Sequence, residues 1–339
     1  MGKRVEADTS PVTILVLNFN GKAHLKKCLD SLLKTNYPHF NVVVIDNGST
    51  DGSAEFLKSS YPSVKVIKHH QNYGYALGYN LVIDKIENEY IVLLNNDILV
   101  TLDWLKELMA YIKDEDVTAV APKMKFLHDK TRINATGGSC DIYGVGLNRG
   151  NGEVDMEQYD IVQEVFYGNG GALLMKKRVW REIGPFDERY FMYGEDLDWC
   201  WRARLKGYKV IYVPHAEVYH RWRGSGGSMA TLLERHWLST ILKNYGLKTL
   251  LKIMPKYLAL KTFKTIWLIR HAKSTEKLAV INAILWNLFN LRGTWRKRVQ
   301  IQTSRKIPDA EIQRQMFKRS FELLLGLGKL KHPILDSYQ

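Results

Sequence analysis

The sequence predicts an α/β fold, a mostly parallel sheet with helices on both faces, followed by a basic helical C-terminal extension. Three observations predict it. Apolar strand-like runs alternate with segments of helical period through the first third of the chain. Each of the first four apolar runs stops abruptly in a short polar loop. The charge is divided: from Arg221 onward there are 23 Lys or Arg against 6 Asp or Glu, a net of +17, whereas residues 1–220 carry 26 against 29.

Tyr90-Ile91-Val92-Leu93-Leu94 is the clearest strand. A run apolar at every position is buried on both faces, as in a parallel sheet covered by helices. It leads directly into Asn95-Asn96-Asp97, which places two amides and a carboxylate at the strand's carboxyl end. Open α/β sheets bind ligands at that edge. An Asp there is suited to a divalent cation, because hard cations take oxygen ligands. The alternative is that Asp97 caps the next element.

The other elements follow in order. Val12-Thr13-Ile14-Leu15-Val16-Leu17 is a first strand ending in Asn18-Phe19-Asn20-Gly21. Leu25, Leu29, Leu32 and Leu33 recur at helical spacing. Asn41–Ile45 is the second strand, followed by Asp46-Asn47-Gly48-Ser49-Thr50-Asp51-Gly52. Val64–Ile67 is the third, and Gln71-Asn72-Tyr73-Gly74 opens a helix reaching to about Lys85. Strands alternating with helices over short links give parallel pairs joined by right-handed crossovers, so the polar loops share one sheet edge. Trp104–Ile112 is a helix and Val117–Ala121 a further strand. Between Thr131 and Val165, glycines and short polar runs predict loops or a hairpin. Glu195-Asp196-Leu197-Asp198 opens a helix with three acids in its first turn, where they also favour the helix dipole. Val210–Val213 is a strand, and the glycine- and serine-rich stretch from Arg221 to Ser228 is expected to be a mobile loop.

Composition excludes several classes. No run approaches the ~18 apolar residues of a membrane-spanning helix, and residues 1–10 form a polar lead without a secretory signal. Cys28, Cys140 and Cys200 are few and widely spaced, which fits a reducing compartment and neither a disulfide framework nor a zinc site. In such a compartment the glycosylation sequons at Asn47-Gly48-Ser49 and Asn134-Ala135-Thr136 are accidental. Gly48 and Gly52 make no dehydrogenase-type or P-loop fingerprint.

The ordered set of loops resembles glycosyltransferase family 2. The resemblance covers roughly residues 11–228. It rests on Leu17-Asn18-Phe19-Asn20, Asp46 through Gly52, Asn72-Tyr73-Gly74-Tyr75 with Asn80, Asn95-Asn96-Asp97, and Gly194-Glu195-Asp196-Leu197-Asp198 with Arg202. Asn95-Asn96-Asp97 departs from the Asp-x-Asp of many members and is similar to the rhamnosyltransferase-like and galactofuranosyltransferase-like branch. The resemblance implies a GT-A fold, an inverting transfer from a nucleoside-diphosphate sugar, and dependence on Mn²⁺ or Mg²⁺. It places Leu17, Phe19, Asn20, Asp46, Asn47, Asn72, Gly74, Asn95 and Asn96 around the donor nucleotide. Phe19 resembles the family's base-stacking aromatic, with core packing the alternative. Asp46 resembles the carboxylate that accepts a pyrimidine ring N–H, with a turn-forming Asp the alternative. Asp51 is read as a helix cap.

Asp97 and His220 are the implied metal ligands, with His215 read as structural. Asp196 is the implied general base and Glu195 and Asp198 its competitors; Arg202 is placed to orient one of the three. Trp199, Trp201 and Asn169 are candidates for acceptor contacts, with core packing the alternative for the two tryptophans.

Residues 229–339 form the basic extension. Leu247, Leu250, Leu251, Met254, Leu258 and Phe263 are interleaved with Lys248, Lys252, Lys256, Lys261 and Lys264, and Trp295 with Arg292, Arg296, Lys297 and Arg298. Basic helices bearing Trp and Phe suit the interface of an anionic membrane; the alternative is a face packed on the catalytic domain. The expectation is therefore a cytoplasmic enzyme, peripheral on the inner membrane face, with a glycan or lipid-linked acceptor in polysaccharide biosynthesis and no nucleic-acid partner. The rivals are a soluble transferase acting on protein or small molecules, and a catalytically silent binding module.

Overall fold

A computed structural model describes residues 9–222, 228–271 and 278–317. Part of the polar lead, residues 223–227 of the expected mobile loop, and the end of the basic extension lie outside the described residues. The first half of the chain runs β1 (Val12–Asn18), α1 (Lys22–Leu32), β2 (Phe40–Asp46), α2 (Ser53–Ser60), β3 (Lys65–Lys68), α3 (Gly74–Ile83), β4 (Tyr90–Asn95), β5 (Ile98–Val100), α4 (Trp104–Ile112) and β6 (Val117–Phe126). It continues through β7 (Ile133–Ala135), β8 (Gly138–Cys140), β9 (Gly146–Asn148), β10 (Gln163–Glu164), β11 (Ala172–Lys176), α5 (Lys177–Ile183), α6 (Glu195–Leu205) and β12 (Lys209–His220). Among the described residues five helices follow: α7 (Ser228–Asn244), α8 (Leu247–His271), α9 (Ala279–Phe289), α10 (Leu291–Ser304) and α11 (Asp309–Arg314).

One sheet dominates, with strand order β10-β12-β6-β11-β4-β1-β2-β3. β1 pairs in parallel with both β2 and β4, and β2 with β3, as the alternating pattern predicts. β11 departs from it, lying antiparallel between β4 and β6. The segment between β6 and β11 holds the short β8–β9 hairpin rather than a crossover. β12 is longer than the predicted four residues, and a register shift between Val213 and Glu217 interrupts its pairing with β6. His215 lies within that shift and is exposed.

Alternation along the strands splits the core into two layers. Ile14, Val16, Val92 and Leu94 pack with Leu25 and Leu29 of α1 and Trp104 and Leu108 of α4. Leu15, Val43 and Leu93 face the other way, against Ala76, Tyr79 and Val82 of α3. That second layer extends without a break into Leu238 and Ile241 of α7, Tyr245 just after it, and Leu250, Ile253 and Tyr257 of α8. The C-terminal helices therefore share a core with the sheet.

A buried carboxylate joins the two parts. Asp187, in the turn after α5, accepts from Arg189 at 2.6 Å, Lys243 of α7 at 2.7 Å and Lys297 of α10 at 2.7 Å. Burial pushes its carboxyl up, but Lys243, Arg189 and Lys297 outweigh burial and hold it well below the ordinary range. Several residues counted as the basic face of the extension are thereby committed to packing. Lys297 binds Asp187, Arg298 donates to the carbonyls of Leu242 and Tyr245, and Lys261 is buried against Glu234. Removing one partner from such a cluster strands a buried charge. Asp187→Ala should lower unfolding stability by about 3 kcal/mol or more; equilibrium urea unfolding measures this, and a loss under about 1 kcal/mol would reject the cluster as the clamp.

Candidate active site

Parallel pairing sets the site. The registers Leu17↔Asn95 and Asn18↔Asp46 bring the loops after β1, β2 and β4 to one sheet edge. Side-chain amides then tie the loops together. Asn96 Nδ2 donates to Asn18 Oδ1 at 2.6 Å, Asn18 Nδ2 donates to Ser49 Oγ at 3.1 Å, and Ser49 Oγ also accepts from the Asn20 backbone N–H at 3.0 Å. Asn20 holds a left-handed φ of 49°, which Asn tolerates better than most residues, while its Oδ1 accepts from the Thr50 N–H at 2.8 Å. Gly21 is dictated by this network, because a Cβ there would lie 1.9 Å from Asn96 Nδ2.

A second set of bonds fixes the next loop. Asn47 Nδ2 donates to Asn72 Oδ1 at 2.9 Å and to the Gly74 carbonyl at 3.0 Å, and Asn47 Oδ1 accepts from the Tyr73 N–H at 3.1 Å. Gly74 has φ +73°, and a Cβ on it would stand 2.3 Å from the Phe191 carbonyl oxygen. The close approach at this glycine is therefore to Phe191. Asp51 accepts from the backbone N–H groups of Lys22 and Ser53, the first residues of α1 and α2, while Gly52 occupies the N-cap position of α2. Asn80 clamps Phe186, donating to its carbonyl and accepting from its N–H.

These loops wall a cleft of about 550 Å³. Leu17, Phe19, Asn47, Asn72, Gly74, Asn95, Asn96 and Asp97 line it, as do Asn169, Glu195, Asp196 and His220. Phe19 is 45% exposed, so its ring is not core. Asn20 and Asp46 do not line it; Asn20 is exposed and Asp46 is buried. Asp46 is fully buried; Oδ1 accepts from the Ser49 N–H at 3.2 Å and Oδ2 has no protein partner. Trp199 and Trp201 do not line the cleft. Both are fully buried on α6, Trp199 stacked on Trp180 and Trp201 packed edge-on against Phe166 and Tyr245. The acceptor role expected of them is corrected to core packing. The cleft instead gains Met229, Leu233 and Trp237 from α7, which the sequence pattern did not single out.

On one wall, His220 Nε2 lies 3.3 Å from Asp97 Oδ1. Among the described residues no cluster of three or more His, Cys, Asp or Glu surrounds this pair. The pair nevertheless fits a hard divalent cation, since neighbouring ligands about 2.1 Å from an octahedral ion sit about 3 Å apart. Substrate oxygens and water complete such a shell.

The three acids that open α6 have three different environments. Asp198 is fully buried and bound by Lys243 at 3.0 Å and Arg202 Nε at 3.1 Å, so Arg202 orients this acid and removes it from competition as a base. Glu195 is buried with Oε2 unpartnered, and burial together with the Asp196 charge pushes it well above the ordinary carboxylate range. Asp196 is partly exposed in the cleft; Oδ2 accepts from the Gly170 N–H at 2.9 Å and Oδ1 from the Leu197 N–H at 2.7 Å. Burial raises it also, against those backbone donors, with the net shift upward. The turn before α6 is strained, with Tyr193 at φ +71°. His236 of α7 holds it, its Nδ1 lying 2.6 Å from the Tyr193 carbonyl. Burial lowers the His236 pKa to about 4, so the ring is neutral near pH 7 and donates through Nδ1–H.

Residues 13–177 match the model of "Glycosyl transferase family 2". A relative from Mycobacterium tuberculosis, N-acetylglucosaminyl-diphospho-decaprenol L-rhamnosyltransferase, is 27% identical over 262 residues, covering 69% of this chain and 84% of that protein. The O-antigen biosynthesis protein RfbC of Myxococcus xanthus is 24% identical over 68% of this chain and 19% of its own. Among solved structures, GalNAc-T7 with UDP, GalNAc and Mn²⁺ superposes with a TM-score of 0.60 at 14% identity, over 85% of this chain and 58% of that one. Residues 1–349 of S. aureus TarS in complex with UDP give 0.54 at 17% identity, over 91% and 93%. Parallel core, loop order and family match agree: residues 13–177 are similar to glycosyltransferase family 2, and the chain has the GT-A fold.

Proposed function

We propose that the protein is an inverting, metal-dependent glycosyltransferase that moves a sugar from a nucleoside diphosphate to a hydroxyl of a glycan acceptor. The observation that carries this reading is the composition of the cleft: the Asp97–His220 pair and the Asp196 carboxylate line the same space. Phe19 offers an exposed ring for a nucleobase. Asp97 and His220 would hold Mn²⁺ or Mg²⁺, which neutralises charge on the departing diphosphate. Asp196 takes the proton from the acceptor hydroxyl as that oxygen bonds to the anomeric carbon and the bond to the diphosphate breaks. Direct displacement needs one base and inverts the centre, unlike the two-carboxylate route of retaining glycosidases. The relative named for a decaprenol-linked substrate and the one named for O-antigen biosynthesis support a lipid-linked glycan acceptor.

Two measurements test the base. Asp196→Asn should retain the fold and donor affinity while lowering turnover by roughly two to four orders of magnitude; Glu195→Gln should retain most activity. The raised Asp196 pKa has a definite sign in the pH profile. A base acts when ionised, so activity rises with pH through its pKa, and the acid limb of kcat/KM should lie above the ~3.9 of an ordinary Asp. A dead Glu195→Gln beside an active Asp196→Asn would reverse the assignment.

The second part of the proposal concerns α8, α9 and α10. Among the described residues no helix is long and apolar enough to cross a membrane. These helices nonetheless expose Trp267 at 44%, Phe289 at 86% and Trp295 at 54%, with Lys248, Lys252, Lys256, Arg270, Arg292 and Arg296 also exposed. Apolar side chains beside surface cations suit an anionic bilayer, each cation adding ~1 kcal/mol near the surface. We infer peripheral attachment on the cytoplasmic face, bringing the cleft to a lipid-linked acceptor. Because α8 and α10 also complete the core, the test uses surface substitutions in the full chain. The protein should sediment with anionic vesicles and release in high salt, and the triple variant Trp267→Ser, Phe289→Ser, Trp295→Ser should bind weakly. Equal binding to neutral vesicles, or none to either, would contradict attachment.

A further inference from the structure

Asn134 belongs to a sequon that the sequence treats as accidental, and the fold gives this residue a different setting. It is the middle residue of β7 and 3% exposed. Its Oδ1 lies 2.9 Å from Nδ1 of His220, the last residue of β12. β7 and β12 flank β6 on its two edges, so the contact spans three strands. Both side chains border the cleft beside Asp97.

An amide oxygen only accepts, so the Nδ1 facing it carries the proton. A neutral imidazole then keeps its lone pair on Nε2, the atom that lies 3.3 Å from Asp97 Oδ1. Two lone-pair-bearing atoms that face each other at this distance repel, and a divalent cation bound to both relieves that repulsion. A histidine that ligates a metal is commonly oriented in this way, by a hydrogen bond from its other ring nitrogen. We propose that Asn134 is a positioning residue: it fixes the Nδ1–H tautomer of His220 so that Nε2 is presented, with Asp97, to a divalent cation. The inference rests on the metal reading given above and adds to it the residue that prepares the ligand.

The tautomer is tested first, in the metal-free full-length protein. Long-range ¹H–¹⁵N spectra of labelled histidine, with His220 assigned by its loss in His220→Gln, should show the Nδ1–H form. An Nε2–H form would overturn the proposal without any variant having to fold. Mn²⁺ affinity is then measured by electron paramagnetic resonance with and without UDP. Asn134→Leu should weaken it by about 10- to 100-fold, whereas Asn134→Asp, which keeps an acceptor oxygen, should bind Mn²⁺ within a few-fold of wild type. A purely structural role would lower thermal stability in Asn134→Leu and leave Mn²⁺ affinity unchanged, which overturns the proposal. Equal weakening in both variants overturns it as well, because the acceptor would then not be the operative feature. Wild-type protein that shows the Nδ1–H form yet binds no Mn²⁺, with or without UDP, fails the metal reading and takes the positioning role with it.

Discussion

Parallel pairing of β1 with β2 and β4 is the constraint on which the site depends. Strands that run the same way must end at the same edge, so Asn18, Asp46 and Asn95 arrive side by side without any long loop. The backbone donors and acceptors beyond those strand ends need partners, and the asparagines supply them locally. Asn18, Asn20, Asn47, Asn72 and Asn96 bond chiefly to one another and to neighbouring backbone. Residues that resemble a nucleotide-binding signature thus first hold the loops in register, and the binding surface is what remains exposed, notably Phe19 and Asp97.

The opposite wall depends on helices outside the matched domain. α6 presents Asp196 to the cleft only while its neighbours are fixed. Lys243 of α7 bridges Asp187 and Asp198, and His236 of the same helix holds the strained Tyr193 carbonyl immediately before α6. The extension that exposes Trp267, Phe289 and Trp295 is therefore joined to the base through packed side chains. Trp286 of α9 lies edge-on to His236, 6.1 Å between ring centres, and Asn287 donates to the Arg235 carbonyl. Fixing one part fixes the other, which explains why a basic extension shares its core with a catalytic sheet.

Much of this was legible in the sequence, for identifiable reasons. The first four strands are apolar runs cut off by polar loops, and their order specifies parallel neighbours. Asp97 follows β4, His220 ends β12 and Asp196 opens α6, so their arrival in one cleft follows from where those element ends lie. β11 was not legible as antiparallel, since an apolar run carries no direction. Trp199 and Trp201 misled because α6 is buried on nearly every side from Leu197 to Leu205, and a helix without a polar face offers no periodicity to separate core from cleft. The same ambiguity hid Lys261, Lys297 and Arg298, whose charges are paired or capped inside the fold. Met229, Leu233 and Trp237 were missed because an apolar cleft wall and an apolar core face share one pattern in sequence.

The central claim is that a single carboxylate drives direct displacement at the anomeric carbon. The stereochemistry of the first-formed product tests it most directly. Full-length protein, Mn²⁺ and a nucleotide sugar that raises its thermal stability are followed by proton NMR from the first minutes, with water or added glycan as acceptor. The account predicts that the anomeric centre appears inverted relative to the donor before any mutarotation. A first-formed product with the donor's own configuration would contradict it.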